Sequence, residues 1–203
     1  MTRESPVRLR NRPATEAAIV DAAEGLLLAH GWTALNIQTL AAAAGVDRKL
    51  VYRYFDGVDG VMARIAARMD VWLARTLAAE PPSDATAYRQ FARESLLAWL
   101  RALRSNPLIL RLLAWELTED SPALRAAEAS RAAVFQAWMR ARRPRLRVPP
   151  AGDLVALNAV LLASVQHLAL AAPRRDFGGV TLDDAGWARI EAAIDTLTGV
   201  WPD

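Results

Sequence analysis

The stretch AAAAGVDRKLVYRYF, residues 41–55, decides the fold of the N-terminal part of the chain. Its alanine run is typical of a short helix, and Gly45 is suited to the left-handed conformation that ends one. Asn36 is suited to cap that helix and Asp47 to cap the next, because both side chains accept hydrogen bonds from free backbone N–H groups. Two short helices separated by a glycine-containing turn predict a helix-turn-helix.

The second helix of such a unit carries the side chains expected to contact DNA. It enters the major groove, and Arg48 and Lys49 occupy its first positions, where they are predicted to donate to guanine O6 and N7. Tyr52 and Tyr54 are predicted to donate to phosphates, while Arg53 stays open between the two roles. At the start of the supporting helix, further phosphate contacts are predicted from Asn36, Gln38 and Thr39. The alternative is that these cations form only a solvated helix face.

Residues from about Ala14 to Met62 resemble the DNA-binding domain of TetR-family transcriptional regulators. The residues that carry the resemblance are Ala23, Leu26, Gly31, Leu40-Ala41, Ala44-Gly45-Val46, Tyr52 and Tyr54-Phe55. The resemblance implies the same base and phosphate contacts, and an all-helical effector-binding and dimerisation domain in the rest of the chain. Two positions depart from the family pattern. Leu50 replaces a small polar residue but offers a surface for a thymine methyl group, and Val58 replaces a lysine.

Composition limits the other classes of function. The chain has 203 residues, of which 53% are hydrophobic, a formal charge of +3 and no cysteine. Without cysteine there is no disulfide, thiol nucleophile or zinc–thiolate site. The start MTRESPVRLRNRP is arginine-bearing and lacks an apolar segment, so we expect a basic arm, no signal peptide and a cytoplasmic location.

Helical spacing recurs along nearly the whole chain, which predicts an all-α protein. We expect two domains: residues 1–57, the basic arm with the helix-turn-helix, and residues 58–203, a helical bundle for ligand binding and dimerisation joined through a long helix. Further helices are predicted to start at Ser83 or Asp84, at Asn106-Pro107 and at Ser121-Pro122. Residues 153–172 are long enough to span a membrane, but their polar interruptions favour a helix buried between protein surfaces.

The last two helices carry the predicted homodimer interface. Residues in the final helix recur at steps of three and four, as in packed helices, and a stripe of small residues in the preceding helix permits close approach. These residues are Trp187, Ile190, Ile194, Leu197 and Trp201, with Ala156, Ala159 and Ala163. The family resemblance also implies a four-helix contact with two helices from each subunit. The alternative is that both stripes pack only inside their own chain.

A ligand pocket is predicted in the central helices, where aromatic side chains suit an apolar or planar molecule. Its candidate residues are Trp99, Leu103, Trp115, Phe135, Trp138 and His167. Aromatic residues at helical spacing more often form an ordinary core, and a histidine such as His167 is more often a hydrogen-bonded core or interface residue than a ligand contact. Glu116 is the other polar residue in an apolar stretch.

The sequence therefore predicts a transcriptional regulator, a repressor that a small and largely apolar ligand releases from a pseudo-palindromic operator. The alternative is a DNA-binding regulator or architectural protein without an effector, which a solid bundle core would favour. An enzyme is not expected, because no GxGxxG, P-loop, GxSxG or metal-ligand spacing occurs in the sequence. Accordingly, no cofactor and no metal are expected.

Overall fold

A computed structural model of the protein describes residues 12–143, 154–174 and 176–199. Within these ranges the chain is all-α apart from one short hairpin, which confirms the predicted fold class. The helices are α1 (Arg12–His30), α2 (Ile37–Ala44), α3 (Arg48–Phe55), α4 (Val58–Ala78), α5 (Tyr88–Ser105), α6 (Pro107–Glu116), α7 (Pro122–Arg142), α8 (Leu154–Ala171) and α9 (Asp184–Gly199). Strands β1 (Asp176–Phe177) and β2 (Val180–Thr181) pair antiparallel between α8 and α9.

The chain divides into two compact units, between Arg68 and Met69. The sequence placed its boundary earlier, after residue 57. The division falls within α4 because the first turns of that helix bury Val61, Met62 and Ile65, and because Arg68 pairs with Asp21 of α1. The functional division into two domains stays a prediction.

In the N-terminal unit, α1 packs on α2 and α2 packs on α3. One stripe of α1 supplies the core, with Ile19, Ala23 and Leu27 all nearly inaccessible to solvent. Leu40 and Val51 are also fully buried, so each short helix is fixed by its apolar side. Burying side chains of this size stabilises the unit by about 1.5–3 kcal/mol each, which is enough to hold helices too short to form alone.

The C-terminal unit is built around α5, which packs against α6, α8 and α9. Leu100 and Leu103 of α5 and Ile109 of α6 are fully buried. At the periphery, Arg93 of α5 forms a two-pronged ion pair with Asp195 of α9. The central helix is therefore held on its apolar side by packing and at its edge by charge.

The helix starts test the capping predictions. Asn36, Asp47, Asn106 and Ser121 each cap a helix with a side-chain oxygen, as predicted. The predicted start at Ser83 or Asp84 is wrong, because α5 begins at Tyr88. The Ser83 hydroxyl instead accepts from the Ala85 N–H, which stabilises a turn ahead of the helix.

Helix α8 is long and apolar enough to cross a membrane, with a mean hydropathy of 1.9, and 22% of its residues are buried in this chain. A single such helix is weak evidence for a membrane span, and one side of α8 packs on α5 and α6. Large apolar residues remain exposed on it, including Val155 and Val160. Among the described residues, this side of α8 is an apolar surface that the chain itself leaves uncovered.

The predicted interface stripe on the last helix needs correction. Trp187, Ile190 and Ile194 are buried within their own chain, in the same cluster as Leu100 and Leu103 of α5, so they do not form an exposed seam. The spacing is right for packed helices, but the partner is α5 rather than a second subunit. Leu197 is exposed, and Trp201 lies outside the described residues.

Candidate nucleic-acid interface and ligand cleft

The turn between α2 and α3 holds the two helices of the helix-turn-helix in place. The Asn36 side chain accepts from the N–H groups of Gln38 and Thr39, each at 3.0 Å, and the Thr39 hydroxyl accepts from the Asn36 N–H at 3.2 Å. Gly45 ends α2 with a φ of 63°. Asp47 then caps α3 by accepting from the Lys49 N–H at 2.8 Å. Local hydrogen bonds thus set where α3 begins.

One side of α3 is buried and the other is cationic. Leu50, Val51 and Phe55 face the core, which leaves Arg48 and Lys49 exposed together with Tyr52 and Arg53 one turn later. Lys49 is the only lysine in the chain. The division follows from helical spacing, because residues three and four apart share a side.

The exposed cations of α3 lack internal partners. Among the described residues, no ion pair or hydrogen bond engages the side chains of Arg48, Lys49 or Arg53. Arg68 in the same unit differs, since a hydrogen bond to Asp21 raises the pKa of its guanidinium. A cation without an internal partner can bind an external anion, and this distinguishes the cations of α3 from Arg68, which is paired with α1.

The remaining predicted contact residues lie around this helix. Tyr52 is 58% exposed, while Tyr54 is half-buried with the Arg12 guanidinium 5.1 Å from its ring centroid. Gln38 is exposed at the start of α2. The side-chain oxygens of Asn36 and Thr39 are already used in capping. Their assignment as phosphate contacts stays a prediction.

The two departures from the family pattern have different explanations. Leu50 is 6% exposed and packs in the core, so it offers little surface to a thymine methyl group. Val58 is half-buried at the start of α4. Further along the same helix, the exposed Arg64 lines the same shallow depression as Tyr52 and Arg53. Sequence reasoning missed Arg64, although its charge near the start of α4 is a signal that was present.

A cleft of about 580 Å³ lies between α6, α7 and α8, with Trp99 of α5 at its floor. Trp99 and Phe135 form an aromatic wall, with ring centroids 4.9 Å apart. Of the residues predicted for a pocket, Trp99, Phe135 and His167 line the cleft. Leu103, Trp115 and Trp138 do not line it. Leu103 and Trp115 are buried in the core, and Trp138 stacks on Phe135 with ring centroids 5.7 Å apart.

Polar groups in the cleft come from residues distant in sequence. Both Glu116 oxygens of α6 accept from the Arg131 guanidinium of α7, and the two side chains are 11% and 9% exposed. His167 is exposed and lies edge-on to Phe177 of the hairpin, at 5.1 Å between ring centroids. The Trp99 Nε1 donor is buried without a hydrogen-bond partner among the described residues. The cleft is thus mostly apolar, with a neutralised ion pair in its wall.

This geometry defines the class: an all-helical chain whose N-terminal unit presents a cationic helix-turn-helix and whose C-terminal bundle holds a cleft. Residues 19–65 match the family model of bacterial regulatory proteins, tetR family. The resemblance to TetR-family regulators that the sequence predicted is confirmed for this segment.

Comparisons over a longer part of the chain agree. The HTH-type transcriptional regulator AlkX of Mycobacterium tuberculosis is 23% identical over 108 residues, which span 53% of this chain and 51% of that relative. A TetR-family regulator structure from Rhodococcus sp. aligns with a TM-score of 0.63 at 18% identity, covering 91% of this chain and 99% of that one. The multidrug binding protein EbrR, solved with imidazole, aligns with a TM-score of 0.64 at 22% identity, covering 100% and 98%. At these identities the solved structures establish the fold.

Proposed function

We propose that the protein is a homodimeric, cytoplasmic transcriptional repressor that a small, largely apolar ligand releases from a pseudo-palindromic DNA operator. The observation that carries the proposal is the capped α2–α3 pair, whose exposed cations Arg48, Lys49 and Arg53 have no partner among the described residues. The family of the matching segment supports a regulatory role. Regulated binding is supported by the cleft in the bundle.

On this proposal the side chains of α3 divide by position. Arg48 and Lys49, on the first turn, donate to base edges in the major groove. Tyr52 donates to a phosphate, and Arg64 takes over the phosphate contact that a lysine at position 58 makes in relatives. Arg53 lies in the same depression as Arg64, which favours the phosphate role for it as well.

Arg48→Ala is expected to weaken operator binding by about 1–3 kcal/mol and to relax base preference at one position of each half-site, because a bidentate contact to guanine is lost. Tyr52→Phe is expected to weaken binding to all sequences alike, since a phosphate contact carries no sequence information. Fluorescence anisotropy on an operator and on point-substituted operators measures both effects.

Arg75→Ala is the matched control for Arg48→Ala. Arg75 is exposed on α4 and lies outside α3, so its loss changes net charge by the same amount without removing a predicted DNA contact. Retained base discrimination in Arg48→Ala would contradict direct reading by this residue.

The exposed side of α8 supports the homodimer. Val155, Val160 and Leu157 are exposed there, together with the predicted interface residues Ala156, Ala159 and Ala163. Helix α8 contains no charged residue, so this surface offers no counter-charge to a charged partner. A second copy of the same uncharged surface is the partner that matches it best, and a two-fold axis brings identical patches together. Leu197 of α9, also a predicted interface residue, is exposed as well.

Val160→Arg is expected to weaken the dimer at least 100-fold, because the two-fold axis brings two buried guanidinium groups into one apolar contact. Val71→Arg is the matched control: Val71 is 52% exposed on α4 and Val160 is 61% exposed on α8. Sedimentation velocity across a concentration series measures the dissociation constant, with circular dichroism as a check on folding. A Val160→Arg protein that stays dimeric would exclude this side of α8 as the interface.

The cleft favours a ligand-responsive regulator over one without an effector. A regulator without an effector was expected to have a solid bundle core. The bundle instead holds a cleft of about 580 Å³ with an aromatic wall, which is within the size range of small-molecule sites. EbrR, which shares the fold, has also been solved with ethidium. The ligand proposed here is planar and mostly apolar, with an acceptor group, because aromatic faces and N–H donors line the cleft.

Selection of genomic fragments tests the function as a whole. Purified full-length protein is incubated with sheared DNA from its source genome, and the retained fragments are sequenced. We expect a pseudo-palindromic motif whose half-sites are centred about one helical turn, 34–36 Å, apart or a multiple of it. Uniform retention of all fragments would instead support an architectural, sequence-independent role.

A further inference from the structure

We propose that a second copy of the chain completes the ligand cleft: the partner subunit covers its mouth, so that the cleft is closed only in the dimer. The inference rests on the homodimer of the proposed function and adds to it that dimerisation builds the ligand site. Ligand binding and subunit association then reinforce each other.

A single chain leaves the cleft open along one side. Its floor and inner wall, formed by residues such as Trp99, Arg131 and Phe135, are buried. Its rim is exposed, and the rim residues are Leu117, Glu128, Ala132, Gln136, Ala163 and His167. Small-molecule sites bury about 70–90% of a drug-sized ligand. A ligand lying on this floor would keep one side in water unless another surface covered the rim.

The open rim is continuous with the surface proposed for dimerisation. Ala163 and His167 line the cleft and also belong to the exposed side of α8. Together with Ala156 and Val160 they recur at steps of four, three and four, which places all of them on one stripe of the helix. A partner docked on this stripe therefore lies at the mouth of the cleft.

The opposite rim of the cleft is formed by α7, and a partner subunit that closes the cleft has to extend to it. Glu128, Ala132 and Gln136 recur at steps of four along one exposed stripe of that helix. A dimer contact confined to α8 would cover Ala163 and leave this stripe in water. A partner that closes the cleft has to cover both rims, and this difference makes the inference testable.

Closure by the partner has a thermodynamic consequence. A ligand that binds the dimer more tightly than the monomer stabilises the dimer, and association raises ligand affinity by the same factor. The cleft would then respond to protein concentration as well as to ligand concentration.

The absence of cysteine from the chain allows a ligand-free test. Single cysteines are introduced as Ala132→Cys on the α7 rim, Ala163→Cys on the α8 rim and Ala133→Cys, an exposed neighbour on α7 that does not line the cleft. Maleimide labelling rates of the full chain are measured at protein concentrations on both sides of the dimer dissociation constant, which sedimentation provides.

We expect the labelling rate to fall at least tenfold on dimerisation at Ala132→Cys and Ala163→Cys, and to stay constant at Ala133→Cys. Adding Val160→Arg should restore the fast monomer rate at Ala132→Cys at every concentration.

Protection of Ala163→Cys without protection of Ala132→Cys would overturn closure of the cleft while leaving the dimer intact. Equal protection at Ala133→Cys would also overturn closure of the cleft, since the partner would then shield α7 in general and not the rim in particular. A chain that stays monomeric in sedimentation would overturn both the inference and the proposed homodimer.

Discussion

An alanine at position 60 is expected to destabilise the N-terminal unit by about 3 kcal/mol, the upper part of the range for overpacking, and to abolish DNA binding. A Cβ at Gly60 would lie 1.6 Å from the carbonyl oxygen of Phe55 and 2.7 Å from its carbonyl carbon. Both atoms belong to the backbone, so no change of rotamer relieves the contact. The end of α3 or the start of α4 has to move instead.

The turn before Gly60 explains why the approach is so close. Asp56 and Gly57 both have positive φ, at 58° and 107°, and together they reverse the chain between α3 and α4. The first turn of α4 is thereby pressed against the last residue of α3. Because Phe55 anchors α3 in the core, moving its backbone also displaces the exposed side that carries Arg48 and Tyr52.

Gly25→Ala is the matched control for this substitution. Gly25 lies in the middle of α1, and an added Cβ there has nothing within 4 Å. Alanine is the better helix former by about 1 kcal/mol, so this variant should be more stable than the parent protein. Urea denaturation followed by circular dichroism, with DNA binding by anisotropy, measures both variants. Equal stability of Gly60→Ala and Gly25→Ala would contradict the close contact at Phe55.

Arg131→Leu is expected to lower the free energy of unfolding of the C-terminal unit by about 3–5 kcal/mol. The substitution leaves the Glu116 carboxylate, which is 11% exposed, without the guanidinium that binds both of its oxygens. A nearly buried charge without a partner is more costly than the absence of the pair. The double variant Glu116→Leu/Arg131→Leu should therefore recover most of the loss, because it removes both charges.

Arg125→Leu is the matched control on the same helix. Arg125 pairs with Asp120, but the two side chains are 59% and 82% exposed, so water replaces the lost contact. No measurable change in stability is expected. Urea denaturation followed by tryptophan fluorescence reports mainly on the C-terminal unit, because six of the seven tryptophans of the chain belong to it. If Arg131→Leu lowered the free energy of unfolding no more than Arg125→Leu, the buried Glu116–Arg131 pair would matter no more for stability than the exposed Asp120–Arg125 pair.

The helix-turn-helix was predictable because its determinants are local. Asn36 and Asp47 cap helices through residues two and three positions away, and Gly45 turns the chain by its own conformation. The cleft was only partly predictable. Trp99, Phe135 and His167 were found from aromatic content and isolated polarity, whereas Arg131 was missed because its partner lies on another helix.

The sequence by itself determined the all-helical class, the capped pair α2–α3 and its cationic side, since spacing and capping depend on neighbours along the chain. Only the tertiary structure decided which helix each apolar stripe packs against. The stripe of α9 has the spacing of a subunit seam, yet Trp187 and Ile190 pack on α5, while Val160 of α8 stays exposed. Periodicity defines a side of a helix but not its partner, because any apolar surface of matching shape satisfies the hydrophobic effect.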